Sequence, residues 1–276
     1  MRMNLAYVGD LKAFPGIMMS LLSVALENPN ETLVVYLLSG HFKDKDVTYV
    51  PLGEKERYFL EKMIRSYHAD SSVSFRDCTE IFNRELGRSV NLRNLYTPYA
   101  YMRLVMDLLP DLPDPILYLD YDTVVLGSLY ALFQTDLTGK DFAIAPDQIE
   151  SRYFLKPKFN TGVMLLHLSE IRQDGCFAKA RRAVNKKLMM MPDQTALNAV
   201  SLKKKVVLAT KYNDHVVLHE DTVIRHYAHQ LLWTPVIHVA NVKPWDFSSY
   251  EKAYPDEPHP RLFLAYKAFV KEYASL

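Results

Sequence analysis

Ile116-Leu117-Tyr118-Leu119-Asp120-Tyr121-Asp122 runs four apolar or aromatic residues into two acids separated by one position. An unbroken apolar run of this length, entered through a proline-rich turn from Pro110 to Pro115, reads as a buried strand. In extended chain, residues two apart share a face, so Asp120 and Asp122 can converge on one cation at the strand end. Solvent-exposed loop acids account equally well for an isolated Asp-x-Asp. The apolar run behind the pair tips the balance, because carboxylates tethered to a core strand are costly unless something compensates their charge.

The same kind of unit recurs on the N-terminal side. Residues 5–8 read as a short strand followed by Asp10, and 14–27 has helical spacing until Pro29 halts it. Strand 33–38, helix 54–67, strand 73–75 and helix 96–109 follow, the last stopping at Pro110. Such alternation predicts an α/β fold with a single mixed, mostly parallel sheet flanked by helices. Ligands collect at the carboxyl ends of strands in these sheets, which sets Asp10 and Asp120 on one crevice.

On the C-terminal side, 159–168 reads as a strand running into Ser169 as a helix cap. The helix after it carries Arg181, Arg182, Lys186 and Lys187, read as a solvated face, and Pro192 opens another helix through Leu202. The tail, 261–273, repeats Leu262, Phe263, Tyr266, Phe269, Val270 and Tyr273 at helical spacing, an aromatic face suited to packing on the body. No internal repeat marks a boundary.

Composition narrows the function classes. With 276 residues, 49% of them hydrophobic, the chain can bury a sizeable core, and 33 basic against 32 acidic residues leave no charge excess that would point to nucleic acid. Two cysteines, Cys78 and Cys176, make neither a disulfide framework nor a metal knuckle, consistent with a reducing cytoplasm. No apolar run reaches the roughly 18 residues of a membrane span.

Three further segments carry polar residues with chemical potential. In Ile237-His238-Val239-Ala240-Asn241-Val242-Lys243-Pro244-Trp245, a histidine follows an apolar strand, and Lys243 offers a compact cation suited to phosphate. A core histidine is the plainer reading of His238 by itself. Phe159-Asn160-Thr161-Gly162-Val163 and Asp193-Gln194 hold side chains that bind sugar hydroxyls but also cap helices. Arg103 is at helical spacing for an ion pair with Asp107, and Asp147 follows Pro146 as a turn acid; His226 and His229, three apart, suggest a second metal site but with no third ligand in view read as ordinary polar residues near the site.

Together these segments resemble glycosyltransferase family 8, retaining enzymes that include bacterial lipopolysaccharide galactosyltransferases. The resemblance runs from Asn4-Leu5-Ala6-Tyr7 through Tyr101-Met102-Arg103-Leu104, Leu117 to Asp122, Phe159 to Val163, Asp193-Gln194 with Leu197-Asn198, and His238 with Lys243-Pro244-Trp245. It implies a GT-A, Rossmann-like catalytic domain over residues 1–250 with a C-terminal helical extension at 251–276. By position it implies Asp120, Asp122 and His238 as metal ligands, Asp10 at the uridine and Lys243 at the diphosphate. Arg103, Asp147, Asn160, Asp193 and Gln194 fall where relatives hold the donor sugar, with Gln194 and Asp193 nearest the reacting carbon. Two carboxylates and an imidazole favour manganese, with magnesium the alternative. Leu11-Lys12-Ala13-Phe14 departs from the family's pattern at the base-stacking position, and Asn241 stands where relatives have glycine.

The implied activity is hexose transfer, glucose or galactose, from a UDP-sugar to a glycan or lipid-linked acceptor hydroxyl, with retention by a front-face route. A cytoplasmic enzyme, peripheral at the inner membrane face through its C-terminal helix, fits such an acceptor. A haloacid-dehalogenase-like phosphatase is the rival, since Leu119-Asp120-Tyr121-Asp122-Thr123-Val124 also fits that nucleophile motif. A catalytically inactive nucleotide-sugar-binding protein is the other.

Overall fold

The computed structural model describes residues 1–44, 47–93, 97–149, 158–200, 204–232 and 238–276. The N-terminal half supplies strands β1 (Arg2–Val8), β2 (Thr32–Ser39), β3 (Phe42–Asp44), β4 (Val47–Tyr49), β5 (Ser72–Asp77), β6 (Ile116–Leu119) and β7 (Thr123–Val125). Beyond them come β8 (Phe142–Pro146), β9 (Phe159–Leu166), β10 (Lys205–Val207), β11 (Ile224–His226), β12 (Gln230–Leu232) and β13 (His238–Ala240). Seven form one sheet in the order β10-β8-β9-β6-β1-β2-β5, with β6 at its centre and every β6 residue buried.

β1, β2, β5 and β6 run parallel, as do β8 and β10, while β9 runs antiparallel to both β6 and β8. This is the mixed, mostly parallel sheet that the alternation predicts. Its one reversed strand has a consequence for chemistry: β9 begins at the edge where β1, β6 and β8 end. The chain's polar segments therefore meet there although they lie far apart in sequence.

Helix α1 (Phe14–Glu27) is buried along 12 of its residues because it is covered on one side by the sheet and on the other by the helix Pro260–Ala274. That C-terminal helix lays Leu262 and Tyr266 inward and stacks Tyr273 on Phe14, 4.7 Å between ring centroids. The aromatic face thus packs on the body. Among the described residues no helix is long and apolar enough to cross a membrane.

Three local expectations change. The helix expected over 96–109 is a short turn, Pro98–Met102, that tightens into a 3-10 helix, Arg103–Leu108; residues 94–96 lie outside the described residues. Arg103 through Asp107 are buried in succession, so Asp107 needs a buried partner, and it finds Arg181 at 2.5 Å rather than Arg103. Arg181 therefore leaves the solvated basic face on which Arg182, Lys186 and Lys187 stay exposed. The helix Leu168–Asp174 is capped not by Ser169 but by Asp114, whose carboxylate accepts from the Leu168 and Ser169 amides.

Residues just before the last helix are strapped to β11. Arg225 is fully buried and donates twice to Glu257, Nε to Oε2 at 2.9 Å and Nη2 to Oε1 at 3.0 Å. The Tyr227 hydroxyl lies 3.0 Å from Glu257, 2.8 Å from the Tyr250 hydroxyl and 2.8 Å from His259 Nε2. Burial pushes the His259 imidazole down to about 4. Since an unfolded histidine takes up its proton near pH 6.5, protons favour the unfolded state between those values. Stability should be unaffected by His259 above pH about 6.5 and should fall by about 3 kcal/mol as pH drops toward 4. Urea unfolding of wild type and His259→Gln across that range checks this: the variant's profile should be flatter, and parallel profiles would contradict it.

Candidate active site at the carboxyl edge of the sheet

Asp120 is fixed by backbone before its side chain acts. It follows β6, and its amide donates to the Gly162 carbonyl at 2.8 Å, continuing the antiparallel pairing with β9. Its Oδ1 accepts from the Tyr118 hydroxyl at 2.6 Å and from Arg103 Nη2 at 2.8 Å, which leaves Oδ2 turned toward His226. Asp122 is held by its own carbonyl, which accepts from the Tyr227 amide at 2.9 Å. Its Oδ2 takes a bond from Lys243 Nζ at 2.6 Å, and its Oδ1 lies 3.2 Å from His226 Nε2.

Two carboxylates and a ring nitrogen therefore converge, their ligand atoms all within 4.8 Å of one another. Burial alone would raise the Asp122 carboxyl, but the Lys243 ammonium and then His226 outweigh it and hold the group well below the usual carboxylate range. Asp122 is thus anionic and available. Two hard oxygens with one imidazole form a donor set that fits a divalent transition-metal cation.

His226 reaches this group because β11 pairs antiparallel with β7, setting His226 opposite Thr123, one residue past Asp122. Among the described residues it is the histidine grouped with the acid pair, which makes it a candidate ligand beside its reading as a polar residue near the site. His229, three positions on, is exposed. His238 begins β13, paired with Leu232, and its side chain lies outside the described residues. The sequence signal for His226 was a histidine closing the apolar-basic stretch Ile224-Arg225-His226, and strand pairing is what sets it beside the acids.

The remaining expected residues gather around the pair. Arg103, 6% exposed, donates to the Thr161 carbonyl at 2.5 Å, lies 3.2 Å from Asp193 Oδ2, and sits over the Tyr118 ring at 4.5 Å. Burial would lower its guanidinium; Asp120, Tyr118 and Asp193 more than offset that and raise it. Asp193, at the start of the helix Pro192–Val200, is raised by burial against the pull of Arg103. Gln194 accepts from the Thr161 amide at 3.3 Å and donates to Asp147 at 3.4 Å, and Asn160 donates to that same Asp147 oxygen at 3.4 Å. Asn198 instead clamps the Phe159 backbone, bonding both its amide and its carbonyl at 2.9 Å.

Asp10 lies one strand over from Asp120, past the end of β1, where its carboxylate accepts from the Ala13 amide at 3.1 Å. Tyr121 and Trp245 cover the near side of α1, with ring centroids 5.9 Å apart. They approach so closely over Gly16 that a Cβ there would come within 2.7 Å of both rings.

Gly162 has the same role at the acid pair. A Cβ on it would lie 2.2 Å from His226 Cε1 and 2.9 Å from Asp120 Oδ2, so the histidine ring rests on the glycine. Gly162→Ala should displace His226 and weaken divalent-cation binding by roughly 10-fold or more while the far-ultraviolet dichroism stays native. Calorimetric titration with manganese checks it; unchanged affinity would contradict the packing.

Comparison with known proteins identifies the family. A model of glycosyl transferase family 8 matches residues 4–249. The lipopolysaccharide 1,3-galactosyltransferase of Salmonella typhimurium is 22% identical over 264 residues, covering 88% of this chain and 73% of the relative. The lipopolysaccharide 1,2-glucosyltransferase of Escherichia coli is 23% identical over 224 residues, 76% of this chain and 62% of the relative. The crystal structure of galactosyltransferase LgtC with donor and acceptor sugar analogues covers 99% of this chain and 96% of its own, at TM-score 0.61 and 18% identity, which extends the GT-A likeness over the whole fold. With an acid pair at the end of the central strand and a family match over almost the whole chain, this protein belongs to glycosyl transferase family 8 and is a glycosyltransferase.

Proposed function

We propose that this enzyme transfers a hexose, glucose or galactose, from a UDP-sugar to an acceptor hydroxyl of a glycan or lipid-linked saccharide, retaining the anomeric configuration and depending on a divalent cation. The observation that carries this reading is the convergence of Asp120, Asp122 and His226 beside Lys243 at the strand ends. The galactosyl and glucosyl activities in the names of the two relatives support both donor sugars as candidates. The family match removes the phosphatase alternative.

In this reading Asp120, Asp122 and His226 hold the cation, with manganese favoured over magnesium by the imidazole. When bound, it neutralises charge on the diphosphate as UDP leaves. Lys243 adds a compact positive charge beside the same phosphates. Asp10 receives the uridine, and Arg103, Asp147, Asn160, Asp193 and Gln194 position the sugar through hydroxyl contacts. Gln194 is an amide and a poor nucleophile, and Asp193 is engaged with Arg103, so the departing phosphate is the group that takes the acceptor's proton. Residues 1–250 carry transfer, and 251–276 brace β11 through Glu257 and His259. The place of action is cytoplasmic, at the inner membrane face where the acceptor is lipid-linked.

Asp122→Asn and His226→Gln should each lower manganese-dependent release of UDP from UDP-glucose or UDP-galactose by about 100-fold or more, with cooperative unfolding retained. Chromatographic quantification of UDP, with and without manganese, checks this. Undiminished rates in both variants would overturn the metal assignment.

A further inference from the structure

We propose that Val90, Leu188 and Met190, with the cations Arg88, Lys186 and Lys187 around them, form the surface by which this enzyme seats on a membrane carrying anionic lipid. The inference rests on the lipid-linked acceptor reading above for its purpose, and it moves the membrane contact away from the C-terminal helix.

On leaving the helix Cys176–Lys186 the chain becomes extended at Lys187, with φ −120° and ψ 129°. In extended chain, residues two apart share a face. Met189 packs inward on the core, and Met191 Sδ lies 3.9 Å from Gln194 Nε2. Leu188 and Met190 take the outer face, 74% and 85% exposed. This strap is held firmly. The fully buried Asn91 donates to the Val184 carbonyl at 2.6 Å and to the Lys187 carbonyl at 2.7 Å, while its side-chain oxygen accepts from the Met189 amide at 2.9 Å. Asn91 therefore brackets Leu188, and it brings its own neighbour Val90, 45% exposed, to the same tip of the molecule.

Three large aliphatic side chains gathered and held in water mark an interaction surface rather than scattered surface residues. Side chains this exposed protrude instead of lining a groove, which suits insertion into a soft apolar layer. Charge selects the layer. Arg88, Lys186 and Lys187 are exposed beside the apolar tip, with exposed Arg182 one turn back on the helix, and among the described residues none of the four is in an ion pair. The neighbouring acid, Glu85, is engaged by Arg84 at 3.0 Å and by Arg181 at 3.3 Å. Apolar tips ringed by basic residues attach to anionic lipid through both terms, burial of the tips and attraction to the headgroups.

The C-terminal helix belongs to the other side of the sheet. β1 sends Met3, Leu5 and Tyr7 into the core shared with α1 and that helix, and Ala6 and Val8 into the core shared with Cys176–Lys186. The strap runs directly into Pro192, Asp193 and Gln194, so seating on its side brings those residues to the lipid surface.

Sedimentation with vesicles of equimolar phosphatidylcholine and phosphatidylglycerol tests this, with pure phosphatidylcholine vesicles beside them. Wild type should sediment with the anionic vesicles alone and be released by high salt. Leu188→Gln with Met190→Gln, and separately Lys186→Gln with Lys187→Gln, should each weaken binding roughly 10-fold or more. Leu264→Gln, at a position 76% exposed on the C-terminal helix, should leave it unchanged. No binding by wild type, equal binding to neutral vesicles, wild-type binding by both strap variants, or loss with Leu264→Gln would each overturn the proposal. A dimer in light scattering that Leu188→Gln with Met190→Gln disperses would assign the patch to a second copy of the chain and overturn it as well. Manganese-dependent UDP release measured without vesicles should be equal in wild type and in Leu188→Gln with Met190→Gln. Its absence from wild type would sink the proposed function instead, with the vesicle result still standing.

Discussion

Because β9 runs against β6, the Gly162 carbonyl meets the Asp120 amide at 2.8 Å, and everything polar in the site is arranged around that bond. A parallel β9 would enter from the opposite edge and carry Asn160, Thr161 and Gly162 away from the acid pair. The reversed strand instead delivers a carbonyl to Arg103, an amide to Gln194 and a side chain to Asn213 from two consecutive residues, Asn160 and Thr161. The absence of a side chain at Gly162 is what leaves room for His226 over this strand.

The site also depends on charge being balanced where water is scarce. Buried carboxylates and guanidinium groups are costly alone and tolerable in paired, hydrogen-bonded sets. Asp120 shares Arg103 with Asp193, and Asp122 takes Lys243, so each acid has a cation within 3.2 Å. One carboxylate oxygen of Asp120 and one of Asp122 remain directed at His226, away from those pairs. The surrounding ion pairs thus hold the acids in place and leave their inner oxygens for a cation. The Arg225–Glu257 pair extends the same logic outward, tying the C-terminal segment to the strand that carries His226.

Much of the architecture was legible in local pattern. The apolar runs at 5–8, 33–38 and 116–119 became β1, β2 and β6, and α1 appeared over the expected residues, because burial on both sides leaves a strong hydrophobic signature. Arg103, Asp147, Asn160, Asp193 and Gln194 were identified through family resemblance, and they do gather at one edge. Local reading alone assigned Arg103 to Asp107 and Arg181 to solvent, because helical spacing does not reveal which charges a tertiary fold will bury. His226 was read as an ordinary polar residue for a related reason: its place beside the acids arises from the β7–β11 pairing, which leaves no periodic trace.

The proposed function requires Asp120, Asp122 and His226 to form one cation site at the strand ends. Anomalous diffraction from crystals soaked with manganese and UDP tests it most directly. The expected result is a single strong manganese peak within ligand distance of both carboxylates and of His226 Nε2; a peak that engages the acids without His226, or lies elsewhere, would overturn the three-residue site.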